Sequence, residues 1–436
     1  MGLAQIVGHP LQASGRARDR IADIGQPKLP ARQKRASSLI PDIRDLFLLD
    51  PEVVFLNHGS FGACPRPVFE AYQTWQRLLE QQPVRFLGRE YLDHDLRARQ
   101  ALAEYLHVET SNLVFVTNAT QGVNIIARSL DLKPGDEILT SDHEYGACDR
   151  AWNFICDKRG ARYIHRSISL PISAPLEAVD QFLQGVTPNT KLIFLSHVTS
   201  PTAQRLPIEA ICSQARQAGI LTLIDGAHAP GQIPLNLPEI GADFYTGNCH
   251  KWMLSPKGAA FLYARPETQD LVEPLVVSWG WGENPTITTG SRFVDYQVWS
   301  GTHDPSAALA VPDAIDFMQK YNWDIVRQEC HDLLLTALAR VSALSGLPSP
   351  YPDDPDFRNP VGPHPLPPQM GIAPLPPISD LESLKKRLYE QFRIEVPLIE
   401  WDGAQYVRIS IQAYNTLEDI DALVGGLATL LLQYQR

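Results

Sequence analysis

From about residue 85 to 265 the chain alternates apolar runs of four or five residues with stretches of helix length, a rhythm that restricts the fold more than any other feature. Leu113-Val114-Phe115-Val116 leads to a helix running on from Thr120, and Glu137-Ile138-Leu139-Thr140 to one near Cys148 to Lys158. Lys191-Leu192-Ile193-Phe194-Leu195 precedes a helix from Pro207 to Ala218, and the run Ile220 to Ile224 follows directly. Strands separated by helices lie parallel in one sheet, with helices over both faces. The expected class is α/β with a mostly parallel sheet.

Ligands on such sheets bind at the carboxyl ends of the strands. The polar residues gather there: Asn118-Ala119-Thr120, His143, Ser196 to Ser200, and Asp225 to His228. Asn118-Ala119-Thr120 opens a helix, where backbone N–H groups and the Thr120 hydroxyl make a phosphate cradle. An ordinary helix cap is the plainer reading of the same residues. Asp225 ends an apolar strand, and Lys251 follows in Gly247-Asn248-Cys249-His250-Lys251-Trp252. Alone, that pair reads as a cap and a surface lysine. Beside a phosphate cradle in one βα system, it has the order of a pyridoxal 5′-phosphate (PLP) site. A lysine amine holds the PLP aldehyde as a Schiff base, and a carboxylate keeps the ring nitrogen protonated. His143 can lay its imidazole on a planar cofactor; so can Tyr145, and the sequence does not separate the two. No metal site is expected: Ala147 stands where a His-Glu-x-x-His zinc pattern needs its second histidine.

Composition narrows the partners. A net charge of −11 argues against nucleic acid or an anionic membrane surface. No apolar run approaches the roughly 20 residues of a membrane span. The six cysteines (64, 148, 156, 212, 249, 330) include no CxxC pair and read as reduced thiols of a cytoplasmic protein. Residues 1–45 form an N-terminal arm whose first forty residues are basic: Arg16, Arg18, Arg20, Lys28, Arg32, Lys34 and Arg35 face only Asp19 and Asp23. Without an apolar core after Met1 it is not a secretory signal; it reads as a flexible or draped arm, with an organelle transit peptide as the lesser reading.

Val68, Phe69, Tyr72, Trp75, Leu78 and Leu79 fall at spacings of three and four, one apolar face of a helix. Twelve of the 36 prolines lie between Pro348 and Pro377, which predicts a long irregular connection. A helix from Ser379 to Gln391, strands over Arg393–Glu400 and Tyr406–Ile411, and a helix from Leu417 to Leu432 then make a small α/β unit. The expected division is an N-terminal segment over 46–84 that joins the small domain, a large domain over 85–310 and a small C-terminal domain over 311–436.

The chain resembles the class V aminotransferase family of fold-type I PLP enzymes, and within it the isopenicillin N epimerase-like branch. The resemblance spans about residues 50 to 430. Its marks begin with Phe55-Leu56-Asn57-His58-Gly59-Ser60-Phe61-Gly62, Asp142-His143-Glu144-Tyr145-Gly146-Ala147 and Ser196-His197-Val198-Thr199-Ser200-Pro201-Thr202. They continue through Asp225-Gly226-Ala227-His228, His250-Lys251-Trp252 with Pro256-Lys257-Gly258, Gly301-Thr302-His303-Asp304-Pro305, and Val407-Arg408-Ile409-Ser410 leading to Tyr414-Asn415.

The resemblance implies a large domain on a seven-stranded type of sheet, a smaller C-terminal α/β domain, and a homodimer with shared active sites. It implies that Lys251 binds PLP and shuttles the α-proton of an amino-acid substrate, and that Asp225 holds the ring nitrogen. His228 would contact the ring hydroxyl, and Ser200 stands where other members often carry asparagine. His250 and Thr120 would contact the phosphate, and Thr302 the phosphate of the neighbouring subunit. Arg408 would grip the substrate carboxylate through a fork that lysine cannot match, with Asn57 and His58 bordering the substrate. No cysteine follows Cys330, so sulfur relay through a C-terminal cysteine is not expected. Epimerisation is the leading expectation and needs a second acid opposite Lys251, with Tyr145 or His58 as candidates. A PLP-dependent C–S lyase, an aminotransferase and a non-catalytic binding module are the alternatives.

Overall fold

The computed structural model describes residues 43–172, 175–351 and 368–434. The expected arm therefore lies almost wholly outside the described residues, as does most of the proline-rich connection. Along the chain come β1 (Val54–Phe55), α1 (His58–Phe61), α2 (Arg66–Gln81), β2 (Leu113–Val116), α3 (Ala119–Ser129), β3 (Glu137–Ser141), α4 (Gly146–Arg159) and β4 (Arg162–Arg166). β5 (Thr190–Ser196), α5 (Ile208–Gln217), β6 (Leu221–Asp225), β7 (Phe244–Asn248), β8 (Ala260–Ala264) and α6 (Trp323–Ser345) follow. The C-terminal part holds β9 (Met370–Leu375), α7 (Leu381–Phe392), β10 (Ile394–Glu395), β11 (Leu398–Trp401), β12 (Ala404–Ser410) and α8 (Leu417–Leu431).

Seven strands form the large sheet in the order β2-β8-β7-β6-β5-β3-β4. Only β8 runs against its neighbours; the pairs from β7 to β4 are parallel. A parallel sheet covered on both faces needs strands that are apolar on both sides. In β5, Leu192 and Phe194 enter one core cluster while Ile193 and Leu195 enter the other. Because β2, β3, β5, β6 and β7 share a direction, their carboxyl ends meet at one edge of the sheet.

β9, β11 and β12 supply a second, three-stranded antiparallel sheet in the order β11-β12-β9, and α6 packs on β9. β9 corrects the irregular reading of 348–377, since Met370 to Leu375 is a fully buried strand. It lies at the sheet edge, where Pro374 costs no ladder bond that a central strand would need. The single strand expected over Arg393–Glu400 is two, β10 and β11, interrupted at Val396-Pro397. β1 pairs in parallel with β10 (Val54 with Ile394, Phe55 with Glu395), so the segment before α1 is tied to the C-terminal strands. The apolar face of α2 is only partly covered: Val68 and Leu79 are buried and Leu78 is exposed. Among the described residues no helix is long and apolar enough to cross a membrane.

Candidate active site

Loops at the carboxyl edge of the large sheet wall a cleft of about 520 Å³. Its lining comes from Thr117 to Thr120 after β2, Tyr145 after β3, and Ser196, Val198 and Ser200 at the end of β5 and beyond. Asp225 ends β6, with Ala227 and His228 just after it, and Asn248 ends β7, with His250 and Lys251 just after it. Ser60 and Phe61 of α1, with Lys257 and Gly258, complete it.

Asp225 is 3% exposed. One oxygen accepts the Ala227 N–H at 2.9 Å and the other meets the Cys148 thiol at 3.5 Å. No lysine or arginine forms an ion pair with it among the described residues. Burial pushes its carboxyl up, opposed by the Ala227 hydrogen bond and by the charge of Lys251. A protonated ring nitrogen is the partner such an acid lacks.

The Lys251 amine stands 3.1 Å from His228 Nε2, and enclosure by protein pushes its pKa down to about 8. Trp252, the next residue, donates its indole N–H to His228 Nδ1 at 3.3 Å. Burial holds His228 well below the usual imidazole range, so the ring is neutral. With Nδ1 accepting from a donor-only indole, the proton of a neutral ring sits on Nε2. That N–H then points at the lone pair of Lys251 Nζ, favouring the neutral amine that a nucleophile requires.

At the start of α3, Asn118 Oδ1 caps the Gln121 N–H at 2.9 Å and Asn248 Oδ1 takes the Ala119 N–H at 2.8 Å. The Thr120 N–H and hydroxyl have no partner among the described residues, which leaves them for an anion at a helix N-terminus. Gly122 brings this turn close, because a Cβ there would lie 2.2 Å from Thr246 Oγ1 on β7. His250 Nδ1 is 3.1 Å from the Ala259 carbonyl, and burial pushes its pKa down to about 4. Its other nitrogen is thus an acceptor, and serves a phosphate only once protonated. These residues fit a pyridine ring and a phosphate: a buried acid without an ion-pair partner, an amine of lowered pKa and a helix N-terminus share one cleft.

Arg408 on β12 is 5% exposed and sits behind two cleft serines. Nη1 donates to the Ser200 carbonyl at 2.6 Å and to its hydroxyl at 3.2 Å, while Nη2 donates to Ser60 Oγ at 3.1 Å. Nε has no partner, and no carboxylate pairs with the guanidinium among the described residues. Burial pushes its pKa down to about 10, leaving it a cation at neutral pH.

Not every expected residue reaches the cleft. His143 is fully buried, its nitrogens 2.8 Å from Thr202 Oγ1 and 2.6 Å from the Ile168 carbonyl. Tyr145, 48% exposed, lines the cleft and His143 does not. His58 is also buried, its ring held between the Tyr414 hydroxyl (2.9 Å) and the Lys251 carbonyl (3.1 Å). Asn57 lies outside the lining, bonded to Ser60 and Glu395. Thr302 is exposed and does not line the cleft. Ser196 lines the cleft, but its N–H and hydroxyl are both committed to the Glu144 carboxyl.

Asn248, Ser60, Lys257 and Glu144 are the residues that sequence reasoning missed. Asn248 could have been found, since it ends a strand as Asp225 does. The role of Ser60 depends on a bond to Arg408, 348 residues away, and left no local signal.

Residues 64–358 match the family model described as Aminotransferase class-V. The chain is 36% identical over 401 residues to an isopenicillin N epimerase of Amycolatopsis lactamdurans, covering 89% of this chain and 97% of that protein. It is 29% identical to a putative L-cysteine desulfhydrase 2 of Oryza sativa subsp. japonica, covering 88% and 85%. The apo cysteine desulfurase of Thermococcus onnurineus NA1 superposes with a TM-score of 0.74 over 92% of this chain and 100% of that one, at 20% identity.

Proposed function

The chain belongs to the aminotransferase class-V family and is a PLP-dependent enzyme; on that premise we propose that it acts at the α-carbon of an amino acid as an epimerase of the isopenicillin N epimerase kind. The observation that carries the amino-acid reading is Arg408, a buried cation without a carboxylate, bonded to two serines of the cleft that holds Lys251. In this reading the guanidinium receives a substrate carboxylate from behind Ser60 and Ser200.

PLP, when bound, supplies an electrophilic aldehyde and an electron-accepting ring that stabilises negative charge at the α-carbon. Asp225 would hold the ring nitrogen, His228 the ring hydroxyl, and Thr120, Asn118, Ala119 and His250 would border the phosphate. Lys251 Nζ takes the α-proton from one side, its low pKa keeping much of it neutral near pH 8. Returning a proton to the other side inverts the centre. Tyr145 is our candidate for that second acid, because its hydroxyl-bearing ring lines the cleft whereas His58 is enclosed with both nitrogens engaged. Tyr145 is likewise the aromatic we assign to the cofactor face, in preference to His143.

Loss of a β-substituent after the same deprotonation is the second reading, favoured by the resemblance to the rice desulfhydrase. Transamination is the third. We also propose a homodimer in which Thr302, exposed and outside the lining of its own cleft, serves the neighbouring site.

Incubation of the PLP-loaded enzyme with a panel of L-amino acids in D2O separates these readings. We expect α-deuteration together with loss of optical purity. Keto acid with released sulfide or ammonia from cysteine substrates would move the assignment to the lyase, and no exchange with any amino acid would remove the proposal.

A further inference from the structure

We infer that Asn57 and Glu395 are positioning residues for Arg408, acting through a directed chain of hydrogen bonds that ends at its guanidinium. Resting on the amino-acid reading above, this inference assigns Asn57 a place behind the substrate site rather than in its wall.

The chain has four members from three parts of the fold. Glu395 Oε1 on β10 accepts from Asn57 Nδ2 at 3.2 Å. Asn57 Oδ1 accepts from Ser60 Oγ at 2.5 Å, and Ser60 Oγ accepts from Arg408 Nη2 at 3.1 Å. Its direction is fixed at both ends, because a guanidinium only donates and an ionised carboxylate only accepts. Ser60 has one proton, which goes to Asn57, so its lone pair must face Arg408. The Asn57 amide cannot flip without setting its NH2 against the serine proton and its oxygen against Glu395.

Such a chain polarises along its length, negative at Glu395 and positive at Arg408. A carboxylate bonded directly to Arg408 would compete with the carboxylate of the substrate. Here the guanidinium is held by neutral oxygens only, Ser200 on one side and Ser60 on the other. The countercharge is set back by two residues. Arg408 is thereby oriented and partly compensated while still lacking an anion. β1–β10 pairing explains the arrangement, since Phe55 lies opposite Glu395 and Asn57 bridges to Ser410 on the strand of Arg408.

The test compares two probes by the change each makes in the visible absorbance of PLP bound to the enzyme. 2-Aminoisobutyrate carries a carboxylate and no α-proton; isopropylamine carries the amine alone. Asn57→Ala breaks the chain, and Glu395→Gln keeps an acceptor but removes the charge. We expect the Kd of 2-aminoisobutyrate to rise about tenfold in Asn57→Ala and about threefold in Glu395→Gln, with isopropylamine within about twofold of wild type in both. Glu395 is half-buried at a strand end, so its variant keeps the test valid should Asn57→Ala fold poorly. Unchanged Kd values for 2-aminoisobutyrate, or equal losses for both probes, would overturn the positioning role alone. No response to 2-aminoisobutyrate in the wild-type enzyme would overturn the amino-acid reading and this inference with it.

Discussion

Replacing Lys251 with methionine is expected to make the apoenzyme more stable, not less. Burial lowers the amine pKa from 10.5 to about 8. At 1.36 kcal/mol per tenfold change, keeping that amine protonated in the folded chain at pH 7 costs about 3 kcal/mol. Methionine has similar length and no charge; losing the contact with His228 returns about 1 kcal/mol. The net gain is about 2 kcal/mol at pH 7. Its pH dependence follows from the sign of the shift. Unfolded lysine stays protonated up to 10.5, whereas the folded amine loses its proton near 8, so between these values the unfolded chain binds more protons. Wild-type stability therefore rises with pH across that window, and the advantage of Lys251→Met shrinks from pH 8 to 10. Urea midpoints of both apoproteins at pH 7 and pH 10 measure the effect. A variant no more stable than wild type at pH 7, or a gap unchanged at pH 10, would refute the reasoning. Saturating PLP should reverse the order, because only the wild type can bind it covalently.

Arg408→Lys keeps the charge but loses the planar fork, so KM for the amino acid should rise about tenfold or more while PLP retention is unchanged; an unaltered KM removes Arg408 from the substrate site. Glu144, buried among Ser141 and Ser196, has its pKa pushed up to about 8 by burial. The unfolded chain releases this proton near 4.5 and the folded chain near 8, so folding stability should fall as pH rises between them. Glu144→Gln should flatten that fall in urea midpoints from pH 5 to 8, and an identical slope in both proteins would sink the assignment.

What was legible in the chain followed from period and position. β2, β3, β5 and β6 were read to within a residue or so because strands buried on both faces are unbroken apolar runs with small polar ends. Asp225 and Lys251 stood out for the same reason, as chemistry at strand ends. β4 was not read as a strand, because Arg162-Tyr163-Ile164-His165-Arg166 is an exposed edge with little apolar signal. β9 was hidden by the prolines around it. Tyr145 and His143 follow the same strand end, and only packing decides that one lines the cleft while the other is buried between Thr202 and Ile168. Arg408 was reached only through family resemblance, since a lone arginine on a strand has no signature. The bonds that orient it join residues more than 200 positions apart, beyond any local pattern.

The four-residue turn α1 has a consequence for how this fold can diverge. Gly62, at φ 71°, packs so closely on the lysine loop that a Cβ would sit 2.1 Å from the His250 carbonyl. From the same turn His58 reaches the backbone of Lys251 and Ser60 reaches Arg408. Under the roles proposed for Lys251 and Arg408, it works as a calliper, setting the span between the jaw for a substrate's nitrogen and the jaw for its acid. Substrates with an extra carbon between those two groups would force the calliper open. Phe61 lines the cleft with a side chain 72% exposed, so a lineage can exchange it and sample new substrate tails with the gauge left as it is.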